Sequence, residues 1–148
     1  MARKIIHQSL KYIAIISFIS INIYVLLPFL NGFGCDFKSE AKYESVTYLS
    51  TCRMGYIESI AWNKNTGEKK LYRGVLAKKN DDILFFVIQS KELSKPIDNF
   101  NDGLNARLSD TPIFSAKHIH KKDFDLVLVR NPSFFIYKTN LVGKLGFW

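Results

Sequence analysis

The chain has 148 residues, 47% hydrophobic and 14% aromatic, with 21 Lys and Arg against 13 Asp and Glu and a formal charge of +8. That length suits one ordinary domain and not two. There is no internal repeat and no low-complexity tract, which excludes a solenoid or a disordered linker.

Residues 1–11 are a short basic tail holding Arg3, Lys4 and Lys11 and no acid. From Tyr12 to Phe33 the chain has no charged residue. The Ile, Leu, Val and Phe side chains between Tyr12 and Leu30 together favour a bilayer interior by roughly 5 kcal/mol. At about 1.5 Å per residue the run matches the hydrocarbon thickness of about 30 Å. Ser17, Ser20 and Asn22 do not line up into the polar stripe of a soluble helix. Positive charge before the run and mixed charge after it (Asp36, Lys38, Glu40) place the N-terminus in the cytoplasm and the chain from about Asn31 outside. A cleaved leader and lipidation at Cys35 are the competing readings. The length of the run favours a retained anchor, and all three export the same domain.

Residues 34–42 read as a polar juxtamembrane link, and 43–148 as the exported domain. Cys35 and Cys52 are the only cysteines. An even count on the oxidising side of a membrane predicts one disulfide between them. Val46 to Trp62 alternates with period two, a strand signature broken near Arg53 to Gly55. Asn63-Lys64-Asn65-Thr66-Gly67 has turn chemistry, so residues 56–77 read as a hairpin. Ile83 to Ile88, a continuous apolar run, predicts a central core strand. Residues 89–112 form a polar stretch read as a long working loop, with a short helix over Asn99 to Leu108. Strands follow at Ile113 to Ile119, Leu126 to Val129 and Phe134 to Tyr137. The sum is an all-β domain of six or seven strands, an antiparallel sandwich or small open barrel with at most one short helix, behind a single N-terminal transmembrane helix.

Motifs for a nucleotide loop, a zinc protease or a nucleophile elbow are absent, and no cofactor is called for. Asp81-Asp82 and Asp123 with Asp125 sit in lysine-flanked turns that suit solvated acids better than acid/base catalysis. His118 and His120, two apart on a strand, can face one side and converge on a metal with Asp123 or Asp125. Against this, Lys117, Lys121 and Lys122 crowd the pair. Aromatic side chains exceed what one face of a small core buries easily. Trp62, Tyr72, Tyr56, Arg73 and Trp148 are therefore a candidate protein-binding surface.

The layout of a tiny basic tail, one span and a compact domain with one cysteine pair is similar to periplasmic bacteriocin immunity proteins and lysozyme inhibitors. That likeness is architectural and carries no residue across. It implies a non-enzymatic, single-pass, periplasmic β-domain at the inner membrane, working by protein binding as an inhibitor, an immunity-type protector or an accessory subunit of an envelope complex. Its partner is another envelope protein or an incoming exported one, not nucleic acid. A metal-dependent hydrolase using His118 and His120, and a structural or lipid-binding domain, are the alternatives. An enclosed apolar cavity is the feature that favours the last of these.

Overall fold

The computed structural model describes residues 2–95, 111–122 and 124–148. One helix, α1 (Ala2–Phe33), precedes eight strands: β1 (Asp36–Tyr43), β2 (Val46–Arg53), β3 (Tyr56–Asn63), β4 (Lys69–Lys79), β5 (Asp82–Ser94), β6 (Ile113–His120), β7 (Asp125–Asn131) and β8 (Phe135–Lys144). Each strand pairs antiparallel with the next, and β8 returns to β1, so the sheet closes into an up-and-down barrel. The all-β antiparallel reading holds, with eight strands in place of six or seven and a closed barrel in place of a sandwich or an open one, and closure leaves no free edge along the β1–β8 seam.

The segment Leu10–Phe33 of α1 is long and apolar enough to cross a membrane, and none of it is covered by the barrel over its most apolar stretch. Its polar side chains are satisfied within the helix. Ser20 Oγ donates to the Ile16 carbonyl at 2.9 Å and Asn22 Nδ2 to that of Phe18 at 2.7 Å, as a helix in hydrocarbon requires. The basic tail continues this helix from Ala2.

The foot of α1 belongs to the barrel. Asn31 is fully buried. Its side-chain amide donates to the carbonyls of Lys78 (3.2 Å) and Trp148 (3.0 Å), and its Oδ1 accepts from the Trp148 amide at 3.1 Å. Gly32 lies against the Leu76 carbonyl with no room for a Cβ. Phe29 stacks on Phe86 at 5.4 Å.

Three expectations need correction. Residues 34–42 are not a link: from Asp36 they form β1, which pairs with both β2 and β8. Only Phe37 and Ala41 of that strand are buried apolar residues, so its outward polar majority disguised it. The long loop begins later than expected, because Gln89 to Ser94 extend β5. The short helix over Asn99 to Leu108 lies outside the described residues. Finally, a closed barrel has no central strand. Ile83 to Ile88 is apolar on both faces because Phe85 points inward, stacking on Phe114 at 5.8 Å, while Phe86 points outward onto Phe29 of α1.

The Cys35–Cys52 disulfide is present, with Cα atoms 5.7 Å apart and both residues buried. It fastens the end of α1 to β2. The following two-residue turn, Met54-Gly55, has positive φ at both positions (51° and 79°), the geometry that matches hairpin twist. Gly55 donates its amide to Cys35 Sγ (3.2 Å) and accepts from the Leu76 amide (2.8 Å). One end of the barrel therefore gathers the foot of α1, this turn, the Lys79–Asp82 and His120–Asp125 turns and the C-terminal residues. Trp62 and the Asn63–Gly67 turn mark the opposite end.

Candidate functional site

The barrel interior is not filled. A cavity of about 150 Å³ runs through it, and among the described residues its lining includes no Asp, Glu, Lys or Arg. Its shape follows from the sizes of inward residues on successive strands. Ser39, Ser50 and Ser59 are cross-strand neighbours on β1, β2 and β3, a row of small side chains at one level, and Ser59 sits opposite Tyr72 of β4. Facing that row is an aromatic wall in which Phe114 meets Tyr72 edge-on and Phe85 stacked, both at 5.8 Å. Small residues on one side and rigid rings on the other hold the space open.

Polar groups are few and sit under strain of desolvation. Tyr48 stacks on Tyr137 at 6.1 Å. Burial raises the pKa of both phenols, that of Tyr137 to about 12, with the neighbouring tyrosines adding to the effect at Tyr48. The surface these residues expose faces the cavity rather than bulk water, since both line it. The Tyr48 hydroxyl is buried without a hydrogen-bond partner among the described residues. Ser50 Oγ and Ser59 Oγ bond each other at 2.8 Å.

At the α1 end, the side chain of His118 lines the cavity and that of His120 is 80% exposed. Both reach one oxygen of buried Asp125: His120 Nδ1 at 2.7 Å in a hydrogen bond, and His118 Nε2 at 3.4 Å without hydrogen-bond geometry. Burial lowers the His118 pKa, partly offset by the Asp125 carboxylate. The imidazoles thus converge on a carboxylate instead of an open coordination site. Among the described residues no group of three or more His, Cys, Asp or Glu can hold a metal, and no serine hydroxyl bonds to either histidine. Asp123 lies outside the described residues.

The expected binding surface divides. Tyr56, Trp62 and Arg73 share the outer face of the β3–β4 hairpin, where Arg73 pairs with Glu58 at 2.6 Å and Lys69 and Lys64 lie 4.8 and 5.8 Å from the Trp62 ring. Tyr72 is not on that surface: it is 5% exposed and lines the cavity. Trp148 stands at the barrel end that holds α1, far from Trp62. The sequence offered Tyr48 and Tyr137 only among its surplus aromatics, as core fillers or surface contacts, and the three serines were passed over as site residues. The period-two signal did mark Tyr48 and Ser50. It also carried the same parity across Met54-Gly55, whereas a two-residue turn pairs Cys52 with Ile57 and so switches the inward positions to Ile57, Ser59 and Ala61. No protein-family model, no curated protein and no solved structure matches this chain, so the site rests on its own geometry.

Proposed function

We propose that the chain is a membrane-anchored barrel on the extracytoplasmic side, holding a small, neutral, amphipathic ligand in its interior. The observation that carries this is the roughly 150 Å³ cavity with an aromatic wall and, among the described residues, no Asp, Glu, Lys or Arg in its lining and no hydrogen-bond partner for two buried polar atoms, Tyr48 Oη and His118 Nε2. A dry cavity of about this size accepts a single-ring molecule of benzene's dimensions. The unmet polar atoms favour one carrying a hydroxyl or amide, and burial penalises a charged one. The apolar helix and the disulfide support anchoring and an oxidising compartment, and Arg3, Lys4 and Lys11 support a cytoplasmic N-terminus.

Calorimetric titration of the intact protein in detergent with phenol and with benzoate tests the assignment. Phenol is expected to bind, benzoate not, and Ala116→Leu, which fills the lining, to abolish phenol binding with the fold retained. Equal binding of both probes, or phenol binding that survives Ala116→Leu, counts against it.

A second reading, an immunity-type protector, inhibitor or accessory subunit that binds protein, draws support from the shared outer face of Tyr56, Trp62 and Arg73, with Leu49 (44% exposed) on the adjoining strand. Its test is crosslinked capture in native membranes. The reading predicts one near-stoichiometric partner that Trp62→Ala releases without unfolding the barrel. The hydrolase alternative gains no support from two imidazoles turned onto Asp125.

A further inference from the structure

We infer that the α1 end of the barrel is itself a membrane-contact surface, seated on the lipid headgroups rather than held above them on a stalk. This rests on the anchoring reading of α1. Four large apolar side chains ring the point where α1 meets the barrel, each more than half exposed: Phe33 (52%), Met54 (72%), Phe147 (65%) and Trp148 (65%).

Their positions are fixed by the fold. The Phe33 ring packs beside Gly55, next to Met54 in the β2–β3 turn. The Phe147 ring packs on Gly34, and Trp148 is held by Asn31 and stacks with Phe147 at 6.1 Å. The bonds of Asn31 and the close fit of Gly32 at Leu76 leave no linker between span and barrel. Any bilayer crossed by α1 therefore meets this ring of side chains.

The chemistry suits an interface. Tryptophan settles at headgroup level, its ring apolar and its N–H wet, and Trp148 is the residue of that kind here, while Phe33, Met54 and Phe147 supply apolar surface beside it. Lys79 points from the β4–β5 turn along α1, bonding the Tyr24 hydroxyl and lying 4.3 Å from its ring. Tyr24 precedes the barrel end of α1 by more than two turns, so this contact draws the ammonium toward the span, where the hydroxyl and ring of Tyr24 partner it. Asp36, Asp81 and Asp82 also lie at this end, so the contact is aromatic first and electrostatic second.

The two tryptophans make the idea measurable, because Trp62 stands at the opposite end. Full-length Trp62→Phe protein, in vesicles of phosphatidylcholine and phosphatidylglycerol with and without acyl-brominated lipid, reports on Trp148 alone. The emission is expected to fall by roughly half or more with brominated lipid, as for an interfacial indole. Trp148→Phe protein, reporting on Trp62, is expected to show no quenching. Unquenched Trp148 in protein that co-floats with the vesicles overturns the seating. Protein that fails to co-float overturns the anchoring reading and the seating with it.

Discussion

Asn31 and Trp148, 117 positions apart, exchange a reciprocal pair of hydrogen bonds: the Asn31 amide donates to the Trp148 carbonyl at 3.0 Å, and the Trp148 amide donates back to Asn31 Oδ1 at 3.1 Å. The Asn31 backbone carbonyl accepts from Gly34 (3.0 Å) and Phe147 (3.3 Å) as well. A residue that interrupts an apolar run in the sequence is thus the joint between helix, barrel and C-terminal segment.

Asn31→Ala is expected to destabilise the barrel by about 1–3 kcal/mol, since it takes the Asn31 side chain from the Trp148 amide and the Lys78 carbonyl, while the Trp148 carbonyl keeps Lys78 Nζ at 2.6 Å. Asn31→Asp is expected to cost at least as much. It keeps the acceptor for Trp148 but sets a carboxylate oxygen against the Lys78 and Trp148 carbonyls. Chemical unfolding in detergent, followed by tryptophan emission, measures both.

Replacing Cys35 and Cys52 together by Ser is expected to cost about 3 kcal/mol, the chain-entropy value for a loop of this size. In intact cells or spheroplasts, a membrane-impermeant thiol reagent is expected to label the native protein only after reduction. Labelling that needs lysis would place the domain in the cytoplasm.

Tyr48→Phe removes a buried hydroxyl that has no partner, so it is expected to leave stability unchanged or raise it by up to about 1 kcal/mol while weakening phenol binding. The gain in one quantity with loss in the other separates a binding role from a packing role. For Tyr137, the raised pKa means the folded state favours the neutral phenol. Its contribution is whole below pH 10 and is lost as pH rises from there through about 12. Tyrosinate absorbance across an alkaline titration is expected to show Tyr137 ionising late, together with unfolding.

His118 supplies a pH dependence of opposite sense. Its folded pKa lies below the ordinary 6.5 because burial penalises the imidazolium more than the Asp125 carboxylate repays, with His120 and Lys78 pushing the same way as burial and Asp81 against it. Below pH 6.5 the unfolded chain then binds the proton more readily than the folded one. Stability from this group is present above 6.5 and falls as pH drops toward the folded value. Melting temperature between pH 5 and 7.5 is expected to fall on acidification, and His118→Gln to flatten that slope.

The long apolar helix, the disulfide and the all-β class were legible because each is written in local chemistry: an uncharged run, a cysteine count, period-two patterns. What escaped was anything set by closure. β1 looked like a link because its inward positions include Ser39, small by design of the cavity, instead of a continuous apolar face. Tyr72 looked like a surface aromatic because a sequence does not show whether a barrel interior is filled or open. The His118–His120 pair was seen, but its convergence on Asp125 depends on the β6–β7 register. The two polar atoms of the lining that lack hydrogen-bond partners among the described residues come from Tyr48 on β2 and His118 on β6, strands that are not neighbours in the sheet and share one interior only because it closes.

The pairing of β1 with β8 also governs how this protein can be made. The first strand of the sheet to be synthesised has its second partner on the last, more than a hundred residues behind, so the barrel cannot assemble strand by strand as the chain emerges. Until residues 139–144 arrive, β1 presents an open edge of unpaired amides and carbonyls beside an apolar interior, prone to pairing with any other chain. A ribosome stalled short of β8 would therefore yield a sticky, half-wound sheet behind an apolar helix, a species for chaperones or proteases to remove.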